Sequence, residues 1–310
     1  NGAWAHNEFG EVQSGEKEFH GIPVQIRTVP ISMESKAVMN KISLAVGVSA
    51  IALMLGANVA SAQVLDVTQK PRPEYDPIGV PVGSFILFPK VTVSETYDSN
   101  IYAQSNNETD DFVTNIKPSL TLDSNWNNHA LNIVADANFG IYGDNSDEDY
   151  QDYGIAGTGR IDVRRNFNIF GGAGYRHMHE DRGSPNAVTG STEPTELDRT
   201  RANVGFDWQP NRLGILGEAR ITDLDFDDTF TSTGVVNNND DRDRQVTEGR
   251  LRLSYDIQPG YAVFVEGIYN KREYDNTPDD AGVNRNSDGY RINGGVEFDI
   301  TGTVLGEVFG

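Results

Sequence analysis

Segments of about 10–14 residues alternate apolar and polar side chains, and the connections between them are short and long in strict turn. Together these two observations predict an all-β fold: a transmembrane antiparallel up-and-down β-barrel, with ten strands and part of an eleventh. The alternation places an apolar face toward lipid and a polar face toward water. The segment length decides against a soluble β-sandwich, whose strands have a mode of ~5–6 residues, whereas a tilted membrane strand needs ~9–11.

The first elements precede the barrel. Residues 1–38 lie upstream of Met39 and read as an over-extended start that is absent from the mature protein. Residues 39–62 read as a secretory signal peptide, with Lys41 in the n-region, an apolar run from Ile42 to Leu55, and Ala60-Ser61-Ala62 as the cleavage site before Gln63. Met33 offers a second start that adds Lys36 to the n-region. A single membrane-anchoring helix is the rival reading, but the apolar run falls short of the ~20 residues needed to span. Residues 63–85, with Pro71, Pro73, Pro77 and Pro81, read as an extended periplasmic lead-in.

The strands follow near 86–97, 112–124, 129–142, 152–165, 168–180, 198–208, 212–226, 244–257, 261–274, 288–300 and 303–310, so that 86–310 forms the barrel. The late strands are the cleanest. In 244–257, Leu251, Leu253, Tyr255 and Ile257 oppose Glu248, Arg250, Arg252 and Asp256; in 288–300, Tyr290, Ile292, Val296 and Phe298 oppose Arg291, Asn293, Glu297 and Asp299. In 198–208, Ala202, Val204, Phe206 and Trp208 oppose Arg201, Asn203 and Asp207. Pro118, inside the second strand, is a blemish because proline removes a ladder donor.

Short turns fall at Asn125–Asn128, Asn166–Phe167, Gln209–Arg212, Gln258–Gly260 and Thr301–Thr303; long polar loops fall at 98–111, 143–151, 181–197, 227–243 and 275–287. Outer-membrane barrels have short periplasmic turns and long extracellular loops, so the interleaving also sets orientation. Tyr97, Tyr142, Trp208, Tyr261, Tyr274 and Tyr290 sit near strand ends and read as girdle residues at the membrane interfaces. Bacterial single-chain barrels close with an even strand count, so a sequence that stops at Gly310, inside an eleventh strand, reads as a piece lacking its C-terminal strands.

Composition limits the chemistry. The formal charge of −21 argues against nucleic acid as a partner, because phosphate binding needs clustered Lys and Arg. The absence of cysteine excludes disulfides, thiolate metal sites and cysteine nucleophiles. Mean hydropathy of −0.48 disfavours helical spans but says little of a barrel, whose apolar residues are diluted one in two.

The best candidate site is the polar face. Arg160, Arg164, Arg176, Arg201, Arg220, Arg250, Arg252, Arg272 and Arg291 share it with Asp136, Asp162, Asp207, Glu218, Glu248, Asp256, Glu266, Glu297 and Asp299. Charges facing lipid cost ~2–4 kcal/mol for Arg at the midplane, so these must face water or each other. Two arrangements fit: a cross-strand salt-bridge lattice that fills the interior, or a hydrated conduit whose charges select a solute. His177 and His179 share one strand face but lack a third metal ligand, so no metal or other cofactor is expected. The acidic stretches Asp223–Asp228 and Asn237–Asp243 could meet divalent ions on a lipopolysaccharide surface, but no EF-hand-like loop is present. No Gly-x-Ser-x-Gly motif occurs, and a catalytic role is not expected.

Tyr97-Asp98-Ser99-Asn100-Ile101-Tyr102, after Gly83-Ser84-Phe85-Ile86-Leu87-Phe88-Pro89, resembles the outer-membrane β-barrel porin family often encoded beside exopolysaccharide or capsule synthesis genes in Proteobacteria. The resemblance runs from about Pro71 to Gly310. It implies a barrel somewhat longer than this sequence and a role in secreting or assembling a surface polysaccharide, with no catalytic residues to carry over. The expected function is thus an outer-membrane channel for polar solutes, with outer-membrane lipid, lipopolysaccharide and a polysaccharide as partners. The alternatives are a structural or adhesive barrel acting through its loops, and a barrel enzyme.

Overall fold

The computed structural model describes residues 77–185, 187, 190–300 and 304–310. The upstream segment 1–38, the signal peptide with Ala60, Ala62 and Gln63, and the lead-in up to residue 76 lie outside the described residues.

The strands are β1 (Val80–Val82), β2 (Phe85–Asp98), β3 (Asp111–Ser124), β4 (Ala130–Tyr142), β5 (Tyr150–Arg164), β6 (Phe167–His179), β7 (Glu196–Trp208), β8 (Leu213–Phe226), β9 (Thr229–Phe230), β10 (Val236–Asn237), β11 (Arg244–Gln258), β12 (Tyr261–Tyr274), β13 (Ser287–Ile300) and β14 (Val304–Phe309). Twelve of them form one sheet in chain order, each antiparallel to the next; β9 and β10 make a separate small hairpin. This is the up-and-down topology of a transmembrane barrel. The ten long strands, β2–β8 and β11–β13, and the partial β14 match the strands expected from the alternation. β1 was not expected: the end of the proline-bearing lead-in pairs back on β2, Val80 opposite Leu87 and Val82 opposite Phe85.

Which face is enclosed is the decisive property. Leu251, Val265 and Ile292 are 49%, 56% and 69% exposed. On the opposite face the side chains of Arg252 and Glu266 are only 12% and 5% exposed. A water-soluble sheet does the reverse. Apolar side chains outward and charges enclosed is stable only where the outer solvent is hydrocarbon. The two sets are called the outer and inner faces below.

Local chemistry sets the register. Pro118 keeps its place opposite Val91 of β2, but the pairing of β3 with β4 skips Lys117 and Pro118 and resumes at Ser119 opposite Asp136 without a shift. A proline therefore leaves a local gap on one side only. At the short-turn ends, β5 and β11 each carry an irregularity, between Asp162 and Arg164 and between Asp256 and Gln258. Asn211 and Gly260 take positive φ in their turns; at Gly260 a Cβ would run into the Asp299 carbonyl, so only glycine fits. Neighbouring short turns are joined backbone to backbone: the Gln209 N–H donates to Asn166 O at 2.8 Å and Asp256 N–H to Arg212 O at 2.8 Å.

Candidate functional site

Strand register sorts the inner face into rows. Near the short turns lies a dense ion-pair lattice. Arg250 Nε donates to Glu266 Oε2 at 2.6 Å, and Arg252 Nη1 lies 3.6 Å from the same oxygen. Arg252 also bonds Glu297, meets Glu307 at 3.1 Å, and stacks over Phe264 at 3.7 Å. On β8, Arg220 reaches Glu218 at 3.1 Å and Glu248 at 3.8 Å, while Asn203 and Asn270 donate to those two carboxylates. Parity produces this: Arg252 stands directly opposite Glu266 and Arg220 opposite Glu248, so period-two strands with charge at every second residue build cross-strand pairs. On β5, Arg160 binds Asp162 at 2.9 Å. Asp162 in turn accepts the His129 N–H and gives its own N–H to His129 Nδ1, both at 3.0 Å, which fastens the first short turn.

Near the long loops the inner face is different. Arg176 of β6 spans Gly154 and bonds both oxygens of Asp136 at 2.6 and 2.8 Å. Arg199 of β7 stands directly opposite Arg176, and Arg201 follows on the same face. Further round, Arg244 lies opposite Tyr274 with its guanidinium 5.9 Å from the ring, and Arg272 keeps a buried Nε with no hydrogen-bond partner. Asp152 of β5 and Asp111 of β3 share the parity of this face, so the like-charge contact is local to Arg176, Arg199 and Arg201.

Of the predicted residues, Arg160, Arg176, Arg220, Arg250, Arg252, Asp136, Asp162, Glu218, Glu248, Glu266 and Glu297 are brought into ion pairs. Asp256 receives only a 3.5 Å hydrogen bond from Gln209. Arg164, Arg291 and Asp207 make no ion pair among the described residues, while Arg201 and Asp299 each hold an interaction of their own. The sequence prediction omitted Arg199, Arg244 and Glu307. Arg199 has the same strand parity as Arg201, which is the signal that finds it.

Above the arginines the long loops brace one another. Glu148, 2% exposed, takes two hydrogen bonds from Arg182 at 2.8 and 2.6 Å, and Arg182 also lies over Tyr102. Arg242 grips Glu180 at 3.0 and 2.7 Å and stacks on Phe226 at 4.0 Å. The Asp111 carboxylate holds the next loop through the N–H groups of Gly143, Asp144 and Asn145. Within the long loops the basic residues are Arg182, Arg242 and Arg285, against a large excess of Asp and Glu. Burial, with repulsion from Asp225, Asp240 and Asp275, pushes the Asp243 carboxyl up to about 6 against the pull of the Phe226 N–H, which it accepts at 2.7 Å. In the loop after β12, hydrogen bonding from the Val283 N–H and from Arg285 holds Asp279 below the usual carboxylate range.

Aromatic residues mark both rims of the outer face: Tyr97 against Phe112 and Tyr153 against Tyr175 toward the loops, Trp208 and Tyr261 toward the turns. Two expected girdle residues fall elsewhere. Tyr142 pairs with Val113 and Tyr274 with Arg244, positions whose parity is that of the inner face. His177 and His179 are not brought onto a shared ligand. His177 Nδ1 is 2.8 Å from Asp198 and its ring stacks on Tyr153; His179 Nδ1 is 2.7 Å from Asp152 and its ring stacks on Tyr150. A cavity of about 880 Å³ is lined by Val163, Arg164, Phe167, Ile169, Val204, Phe206, Trp208 and Glu218; the irregularity after Asp162 sets Arg164 opposite Phe167, on the outer side rather than the inner one expected from the sequence.

An exposed apolar face, aromatic rims and an enclosed charged face define an outer-membrane β-barrel with a polar interior. The chain belongs to the family described as "Putative beta-barrel porin 2", whose model matches residues 72–310. No curated protein matches the sequence. Among solved structures it is similar to copper transporter OprC, at 10% identity over 70% of this chain and 38% of that one, with a TM-score of 0.42. It is also similar to a Pseudomonas aeruginosa FadL homologue, at 11% identity over 73% and 66% of the two chains and a TM-score of 0.39. The siderophore receptor PiuA from Acinetobacter baumannii gives 13% identity, 70% and 44%, and a TM-score of 0.39. The chain thus spans less than two thirds of the length of these proteins.

Proposed function

We propose that the barrel passes polar solutes across the outer membrane along its charged inner face, and that the solute is a secreted polysaccharide. The observation that carries the first part is the inversion of burial, which puts arginines and carboxylates on the enclosed side and aliphatic residues outside. The polysaccharide rests on the resemblance of the first-strand motif, Tyr97 to Tyr102, to the porin family of exopolysaccharide loci. In this proposal the protein is exported through a signal peptide cleaved before Gln63 and contacts lipopolysaccharide through its acidic loops. It binds no nucleic acid and performs no covalent chemistry. Planar-bilayer recording of the protein purified from outer membranes checks conduction: discrete current steps are expected. Deleting the gene should abolish secreted polysaccharide while leaving uptake of small solutes unchanged; undiminished polysaccharide output would remove the export role.

A second reading draws on the loop braces. Arg182–Glu148 and Arg242–Glu180 give the extracellular end a fixed shape, as an adhesive or structural surface requires. Loss of surface attachment on replacing loop residues, with conductance intact, would favour it.

A further inference from the structure

We infer that the inner wall around Arg199 is a binding site for an oxyanion group carried by the solute. This rests on the proposal that solute moves along the inner face, and it names the chemistry of that solute.

Register carries the first step. Arg176 and Arg199 face each other directly across β6 and β7, which sets their Cβ atoms about 5 Å apart, and Arg201 lies next to them on the same side. Arg199 is within electrostatic reach of both other guanidinium groups. Like charges in direct opposition destabilise a sheet. Elsewhere on the inner face the same register places a carboxylate opposite an arginine, as with Arg252 and Glu266.

Partner assignment carries the second step. Asp136 is held by Arg176, which engages it through Nη2 alone. Arg199 has no ion-pair or hydrogen-bond partner for its side chain among the described residues; Leu224 stands opposite it on β8, between Thr222 and Phe226. A half-buried guanidinium without a counter-charge is costly, and an incoming anion removes the cost.

Space and shape carry the third. Gly154, Gly172 and Gly174 occupy the inner positions beside these arginines, and the absence of a side chain at Gly154 is what lets the Arg176 guanidinium lie flat across the wall toward Asp136, leaving Arg199 without that acid. A guanidinium fork presents parallel N–H groups that match the two oxygens of a carboxylate or phosphate. The ligand class is therefore an oxyanion on a polar solute, either a uronate carboxylate or a phosphate substituent.

Isothermal titration of the detergent-solubilised protein with trigalacturonate, inorganic phosphate and neutral maltotriose tests this. At least one anion should bind and maltotriose should not; stronger trigalacturonate identifies the carboxylate, stronger phosphate the phosphate. Arg199→Gln should weaken binding at least tenfold, and Arg199→Lys, which keeps charge but not the fork, should weaken it less. Heat-modifiable migration on gels verifies that each variant folds. No binding of either anion, or wild-type binding by Arg199→Gln, overturns the inference. Anion binding without bilayer current would uphold this site and count against conduction; current without anion binding would do the opposite.

Discussion

The arginines near the short turns and those near the long loops share one face of one sheet, yet they meet different neighbours across the strands: Arg252 stands opposite a carboxylate, Glu266, whereas Arg199 stands opposite another arginine, Arg176. Arg250 and Arg252 converge on Glu266, with Glu297 and Glu307 closing the cluster. Arg176 holds Asp136, while Arg199 stands directly opposite Arg176 and Arg201 follows on the same face. The matched half is a brace, since paired half-buried charges fix the distance between strands. Arg199, which makes no ion pair among the described residues, meets Arg176 as a like charge in the free protein, a state that persists where a ligand is to be met.

The sharpest way to break the picture is to reverse a face. Leu251→Arg places a charge at the midpoint of β11 on the outer side and should cost about 2–4 kcal/mol, read from urea unfolding in lipid vesicles. Next comes the brace. Glu266→Gln leaves Arg250 and Arg252 short of their shared counter-charge and should cost about 2–3 kcal/mol; the loss is smaller than for a pair sealed in a dry core, because this one borders a wet interior. Glu148→Gln should loosen the loops by about 2 kcal/mol, seen as faster amide exchange in 143–149 and 181–185 without a change in the strands. Arg199→Gln should have the opposite sign: relief of the like-charge contact should stabilise the free barrel by about 0.5 kcal/mol. Destabilisation on that change would erase the contrast between the halves.

The smallest effect concerns pH. The Asp243 carboxyl, pushed up to about 6, binds a proton more readily folded than unfolded. Its contribution to stability is therefore present below the ordinary carboxylate range and is lost as pH rises through about 6. The protection of the Phe226 amide from exchange, taken relative to its intrinsic rate at each pH, should fall across that window and be independent of pH in Asp243→Asn. Asp279, held low, acts in the opposite sense, stabilising its own loop until pH falls below the usual carboxylate range.

Much of this was legible in the sequence because strand parity is local. Arg250, Arg252 and Glu297 fall on one face by counting in twos, and register then completes the pairs. Counting fails at strand ends. Tyr142 and Tyr274 look like girdle residues by position, but parity turns them inward. Arg199 was passed over although its parity matches Arg201, and Glu307 lies in a partial strand with too little alternation to read. The loop braces were out of reach altogether. Glu148 and Arg182 are 34 residues apart in chain segments with no periodicity, and only the assembled sheet brings them together. β1 was hidden by its proline, Pro81, which signals a break more strongly than a three-residue strand signals pairing.

The chain has no cysteine, so a single introduced thiol reports on one position alone. Thr222 faces inward beside Arg201, and Ile221, its neighbour on β8, faces outward and is 40% exposed. In intact outer membranes a charged, membrane-impermeant methanethiosulfonate should modify Thr222→Cys and leave Ile221→Cys untouched, while both thiols should react once the protein is unfolded in denaturant. Modification of Ile221→Cys by the charged reagent, or protection of Thr222→Cys from it, would contradict a wet, charged interior enclosed by a lipid-facing wall.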